Sequence, residues 1–181
     1  MKNGQKYILT LDTTAKVISA AFIVVIITLM LVYIVMVTFF NHSFEIDEEN
    51  LPFLLALNSL LLLLLLLPCY LYAPLSYELT DTQLLISRPI GTLSFPYKEM
   101  NKITPMEKWG GITSFIRLLG VGGLFGYYGL MYSRTEGRFW AYLSALKPII
   151  FIQLKNGKKI AVNLVHPDFL NQLTEKVNPS K

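Results

Sequence analysis

The chain has 181 residues, of which 53% are hydrophobic and only 15% charged, with 16 basic residues against 12 acidic. A soluble globular domain carries nearer 25% charge, so this composition argues against an ordinary soluble protein. One cysteine, Cys69, excludes an internal disulfide and suits a reducing compartment.

Residues 6–11 alternate weakly between polar and apolar. A strand over 7–11 is expected to pair with the sheet that follows, which makes the helices between them an insertion. Asp12 or Thr13 is placed to cap the next helix. From 17 to 40 there is no charge in 24 positions. At about 1.5 Å rise per residue this block crosses a hydrocarbon core of about 30 Å with some tilt. A second uncharged block runs over 51–72, centred on the leucines at 60–67, and no charge follows until Glu78. Backbone groups in lipid must be paired within their own segment, so both blocks are expected as transmembrane helices. Pro52 falls in the first turn of the second, where its missing N–H costs little, and Pro68 is expected to kink or end it.

Two competing readings are weaker. A signal peptide has an apolar core of only about 7–15 residues, and no small-x-small site follows Phe40. A soluble core hairpin does not need two uncharged runs of this length. Tyr33 and Asn58 are mild polar spots, and Asn58 is either a hydrogen-bonding amide between helices or a tolerated one. No charge marks an intramembrane site. Cys69 ends up at the interface, as an inert thiol or a palmitoylation site.

Lys2, Lys6 and Lys16 precede the first block against Asp12, and the loop 41–50 holds Glu45, Asp47, Glu48 and Glu49 with no basic residue. After the second block stand 13 basic and 7 acidic residues. The positive-inside rule then puts both termini in the cytoplasm and the acidic loop outside, the topology of a multi-pass membrane protein.

From 75 onward the apolar period changes to two, as in half-buried strands. Strands are expected at 76–80, 83–88, 92–97, 102–106, 124–133, 138–146, 149–154 and 158–164. The last two are joined by Lys155-Asn156-Gly157-Lys158, a strong hairpin signal. A helix is expected over 167–177, with Pro167 at its first position, Asp168 in its first turn and Lys176 in its last. Its stripe of Phe169, Leu170, Leu173 and Val177 has to lie on the sheets. The expected fold class is an N-terminal two-helix transmembrane hairpin (17–72) plus a mainly-β barrel or sandwich (75–181) capped by a C-terminal α-helix.

A strand meander closed by one helix resembles the pleckstrin homology (PH) fold. The run Tyr77-Glu78-Leu79-Thr80-Asp81-Thr82-Gln83-Leu84-Leu85-Ile86 looks like the opening of bacterial PH-like domains. Arg117-Leu118-Leu119-Gly120, Gly123-Leu124-Phe125-Gly126-Tyr127-Tyr128-Gly129, Gly157 and the Pro167-Asp168 helix start look like a membrane-anchored branch of that family with an N-terminal hairpin. The resemblance implies a module that binds or assembles rather than catalyses.

Gly120, Gly122 and Gly126 miss the dinucleotide-binding spacing and precede a strand, so they are read as bends and bulges rather than a phosphate cradle. His42 and His166 fall on opposite sides of the membrane, and no paired-cysteine, zinc or nucleophile motif occurs. No catalytic, cofactor or metal residues are therefore assigned, and no cofactor is expected. The turn at Asp81 is short and acidic, so no phosphoinositide site is expected.

Strand parity places the loops at 89–91, 107–123 and 147–148 near the bilayer, with Trp109, Phe115, Ile116 and Arg117 as candidate membrane-interface residues. At the other end Arg134, Arg138, Lys155, Lys158 and Lys159 form a basic rim that is either a solubilising surface or a site for an acidic partner. Five scattered basic residues without a motif are a poor nucleic-acid footprint. The expected partners are the lipid bilayer and either a protein or a second copy of the chain. The function expected is a membrane-tethered interaction or scaffold module. The alternative is an accessory subunit of a transporter or envelope-stress complex that acts through the hairpin.

Overall fold

A computed structural model describes residues 4–44, 51–106, 115–146 and 148–178. Its elements in chain order are β1 (Gln5–Ile8), α1 (Thr13–Phe44), α2 (Leu51–Leu71), β2 (Ser76–Leu79), β3 (Gln83–Arg88), β4 (Gly91–Pro96) and β5 (Met100–Pro105). There follow β6 (Phe115–Gly122), β7 (Tyr127–Ser133), β8 (Gly137–Leu143), β9 (Ile149–Leu154), β10 (Lys159–Asn163) and α3 (Pro167–Val177). Two sheets form, one in the order β1-β2-β3-β4 and the other in the order β5-β9-β10-β8-β7-β6.

β1 pairs antiparallel with β2, with Tyr7 opposite Tyr77, although α1 and α2 separate the two strands in the chain. Both apolar helices are thus inserted between neighbours of one sheet. The strand starts at Gln5 and ends at Ile8, earlier than the 7–11 expected from sequence; the Leu9 N–H still reaches the Leu75 carbonyl, and Leu9 and Leu11 pack on the two cores.

The second sheet is not a simple meander. β10 lies between β9 and β8 and runs parallel to β8, with Ile160 opposite Trp140. Such a pair needs a crossover, and β9 supplies it by moving outward to pair with β5. A further correction concerns the stretch expected as a loop at 107–123: from Phe115 it is strand β6, paired along its length with β7.

The sheets enclose a core of Tyr77, Leu84, Ile86, Ile150, Ile152, Ile160 and Val162. α3 closes it: Phe169 and Leu173 are fully buried, and the Phe169 ring meets Tyr7 edge-on at 5.1 Å. Burial of one such side chain stabilises by about 1.5–3 kcal/mol. The other face of the second sheet forms a second core around Met131, Phe139, Leu143, Ile149 and Phe151, with Ala15 of α1 packed into it. β9 is therefore buried on both faces, which explains its unbroken Ile-Ile-Phe-Ile.

α2 continues through Pro68 to Leu71. The ring deletes one backbone donor without stopping the helix, and the Tyr72 N–H still reaches the Pro68 carbonyl at 3.1 Å. By length and composition one described segment, Thr13–Met36, is apolar enough to cross a membrane; the apolar stretch of α2 within the described residues, Ala56–Leu71, is shorter.

Candidate functional site at the helix–sandwich junction

Asp12 begins the junction. Its carboxylate accepts the Ala15 N–H at 2.7 Å, satisfying one of the donors that every helix start leaves unpaired. The same carboxylate accepts the Leu146 N–H at 3.1 Å and the Tyr127 hydroxyl at 3.4 Å, and the Asp12 N–H donates to the Ser144 carbonyl at 3.3 Å. The start of α1 is therefore fixed to the β8–β9 connection. Burial and the neighbouring Asp12 charge push the Tyr127 phenol up to about 12.

Asn163 firms up the other side of that connection. Its carbonyl oxygen accepts the Ser144 N–H at 2.8 Å and the Ala145 N–H at 3.3 Å, and its amide donates to the Ala145 and Pro148 carbonyls. Its own N–H donates to the Tyr77 hydroxyl, which in turn donates to the Tyr142 carbonyl. Complete burial raises the Tyr77 phenol well above its ordinary value.

The β6–β7 turn reaches up between the two helices. Ser19 of α1 donates to the Gly123 carbonyl at 3.3 Å and accepts the Phe125 N–H at 2.9 Å. The Phe125 ring meets Tyr70 of α2 edge-on at 5.7 Å. Phe125 has φ +56°, the one positive φ among the described non-glycine residues. A bulky side chain in this region is held there by its surroundings. Nearby, the Tyr128 hydroxyl donates to the Cys69 carbonyl, and the Ile90 N–H donates to the Leu71 carbonyl at 3.1 Å. The start of α1 and the end of α2 are thus both bonded to one end of the sandwich, here called the helix end.

The candidate residues of the sequence reading fall elsewhere. Trp109 lies outside the described residues. Phe115 stands opposite Ser133, beside the turn at 134–137, so β6 begins at the far end and reaches the helix end only at Gly122. Its ring packs against Phe139 at 5.2 Å and Phe151 at 6.3 Å in the second core, so it is not free to meet a bilayer. Ile116 and Arg117 are exposed near the same far end. The strand carries the backbone of Phe115 and Ile116 away from the helices, while the Arg117 guanidinium reaches back along β6 to Gly122. From this glycine-rich stretch Gly123 and Phe125 meet α1, in the Gly-Leu-Phe-Gly turn.

The structure gathers the basic rim at the far end, where β8 and β10 start side by side. Arg134, Arg138, Lys155 and Lys158 are exposed. Lys159 is already paired, 2.9 Å from the Glu136 carboxylate. The acidic turn at Asp81 is balanced by Lys176 of α3, 3.8 Å away, with Lys98 lining the same cleft. His166 caps α3 by accepting the Asp168 N–H at 3.3 Å. Among the described residues no cluster of His, Cys, Asp or Glu is arranged to hold a metal. At the junction the carboxylate and amide are engaged by backbone groups, so their work there is to fasten segments together.

Two sheets closed by a C-terminal helix over the open end define a PH-like fold. The family model for the bacterial PH domain matches residues 75–177, more than half of the chain and the whole span from β2 to α3. The chain belongs to the bacterial PH domain family. No curated protein and no solved structure matches the chain. PH domains are generally non-catalytic interaction modules. β1, α1 and α2 lie outside the matched span.

Proposed function

We propose that the chain is a membrane-tethered, non-catalytic PH-like scaffold of a bacterial cytoplasmic membrane. In this reading α1 and α2 cross the bilayer as a hairpin, both termini lie in the cytoplasm, and the sandwich binds a protein partner or the membrane surface. The observation that carries it is the apolar surface of α1: only 6% of its most apolar window is buried within the fold. Val17, Leu29 and Leu31 are each more than half exposed, and so are Leu61, Leu63 and Leu64 of α2. In water each such side chain forgoes about 1.5–3 kcal/mol of burial, a loss that lipid removes. The acidic 41–50 loop and the basic sandwich support the same orientation.

The exposed flanks of the helices also favour the second reading, an accessory subunit of a transporter or envelope-stress complex that is held through the hairpin. Photo-crosslinking in native membranes separates the two. With the crosslinker in place of Lys158 the scaffold reading predicts a protein adduct from the rim. An adduct only from Leu61, with none from Lys158 or Arg134, contradicts a scaffold that binds a protein through its rim and supports the second reading.

A further inference from the structure

The helix end of the sandwich carries large apolar side chains that the described residues leave exposed. Ile8 closes β1, and its row continues through Ser76 to Ser87, so it stands at the end where β3 turns into β4. Ile90 is in that turn, with its N–H on the last residue of α2. Leu75 stands just before β2. Ile8 is 74% exposed, Ile90 49% and Leu75 44%. Tyr72, directly after α2, is also exposed, and the Arg88 guanidinium lies 5.5 Å from its ring centroid.

These side chains do not belong to a loose segment. The Leu75 N–H donates to the Ser87 carbonyl at 2.8 Å, and its carbonyl accepts the Leu9 N–H at 2.9 Å. A hydrogen-bonded backbone carries these exposed apolar groups. Single exposed apolar residues are common on any surface. Here they gather at one end, and that end continues through Tyr72 and Leu71 into the exposed apolar surface of α2. That continuity selects the occupant. Charge agrees with it: Arg88 and Lys16 stand at this end, and the carboxylate of Asp12 is occupied by the Ala15 and Leu146 N–H groups.

We infer that the helix end of the sandwich docks onto the lipid bilayer, with Ile8, Leu75 and Ile90 seated at the headgroup–acyl boundary. This rests on the membrane-spanning reading of α1 and α2. The Tyr72 ring takes the headgroup level, as aromatic side chains do at membrane interfaces, and Arg88 stacked on it faces the lipid phosphates. The bilayer then holds the module in one orientation, with the turns at Arg134 and Lys158 directed into the cytosol.

The test uses the full chain with Cys69→Ser, reconstituted in phosphatidylcholine–phosphatidylglycerol vesicles. Single cysteines Ile8→Cys, Ile90→Cys, Val25→Cys in α1 and Asn156→Cys at the far end each carry a nitroxide. Power saturation compares collisions with oxygen, enriched in lipid, and with a water-soluble nickel chelate. Docking predicts that Ile8→Cys and Ile90→Cys favour oxygen, as Val25→Cys does, while Asn156→Cys favours nickel. If the Ile8 and Ile90 labels favour nickel while Val25 favours oxygen, docking is overturned and the spanning reading stands. If both labels are shielded from either collider, protein covers the surface and docking is again overturned. A Val25 label that favours nickel removes the spanning reading, and docking with it.

Discussion

Ser19 accepts the backbone N–H of Phe125 at 2.9 Å, tying the second turn of α1 to a residue 106 positions away whose φ is +56°. The same hydroxyl donates to the Gly123 carbonyl, so one small side chain closes both arms of the turn. Ser19 is buried, and a Cβ on Gly123 would sit 2.6 Å from Ile18 Cδ1, so the helix and the turn fit without slack.

Ser19→Ala leaves that N–H and carbonyl without their partner in a dry contact, at a cost of about 1–3 kcal/mol. Thermal unfolding of the detergent-solubilised chain is expected to shift down accordingly. An unchanged transition would mean that the hydroxyl does not hold the turn.

Phe125 combines a strained backbone with a ring contact to Tyr70. Phe125→Ala loses the contact and keeps the strain; Phe125→Gly loses the contact and relieves the strain. The glycine variant is expected to be the more stable of the two by about 1 kcal/mol, the reverse of the usual order of alanine over glycine. Chemical denaturation of the pair reads this sign directly.

Gly120 and Gly129 stand opposite each other in the β6–β7 ladder with φ of +121° and +118°. A Cβ on either would collide with backbone of the facing strand, Tyr128 O for one and Leu119 O for the other. Gly157, at φ +82° in the β9–β10 turn, has nothing within 4 Å of its Cβ position. Gly157→Ala is therefore expected to cost about 1 kcal/mol, and Gly120→Ala or Gly129→Ala at least twice that, since steric overlap adds to strain. Equal losses at all three sites would contradict the close approach of the strands.

How far the sequence revealed this arrangement depended on what each residue answers to. β3, β9 and α3 follow local rules, an alternating or doubly buried strand and a capped amphipathic helix, and their limits could be read from the chain. β6 could not. Its outward residues Ile116, Leu118 and Leu119 are apolar and exposed, Gly120 and Gly122 weaken the strand pattern, and a bulge between Arg117 and Leu119 breaks the alternation. Pairing with β7, a long-range fact, makes it a strand. The junction was half legible. A cap at Asp12 or Thr13 is legible, and Asp12 takes it, but its second task on Leu146 and the grip of Ser19 on Phe125 depend on contacts more than 100 residues apart.

Alkaline pH should unfold the protein through its tyrosines. Burial, reinforced by Asp12, raises Tyr127 from 10.0 to about 12, and burial moves Tyr77 and Tyr128 in the same direction. Between these limits the unfolded chain loses phenolic protons that the folded chain keeps. The contribution is therefore complete below pH 10 and is lost as pH rises from about 10 through about 12. Tyrosinate absorbance is expected to lag behind free tyrosine until the fold is lost, and Tyr127→Phe should flatten part of the stability decline. Ionisation of every tyrosine near pH 10 in the folded protein would contradict the burial described here.

The central claim is that α1 and α2 pass through the bilayer and leave the sandwich in the cytoplasm. Paired reporter fusions test it most directly, with alkaline phosphatase, active only outside the cytoplasm, and a fluorescent protein that folds only within it. Fused after Lys181, the phosphatase is predicted to be inactive and the fluorescent protein bright; inserted in the 41–50 loop, the phosphatase is predicted to be active. An active phosphatase after Lys181, or an unfused chain recovered in the soluble fraction without detergent, would contradict the account.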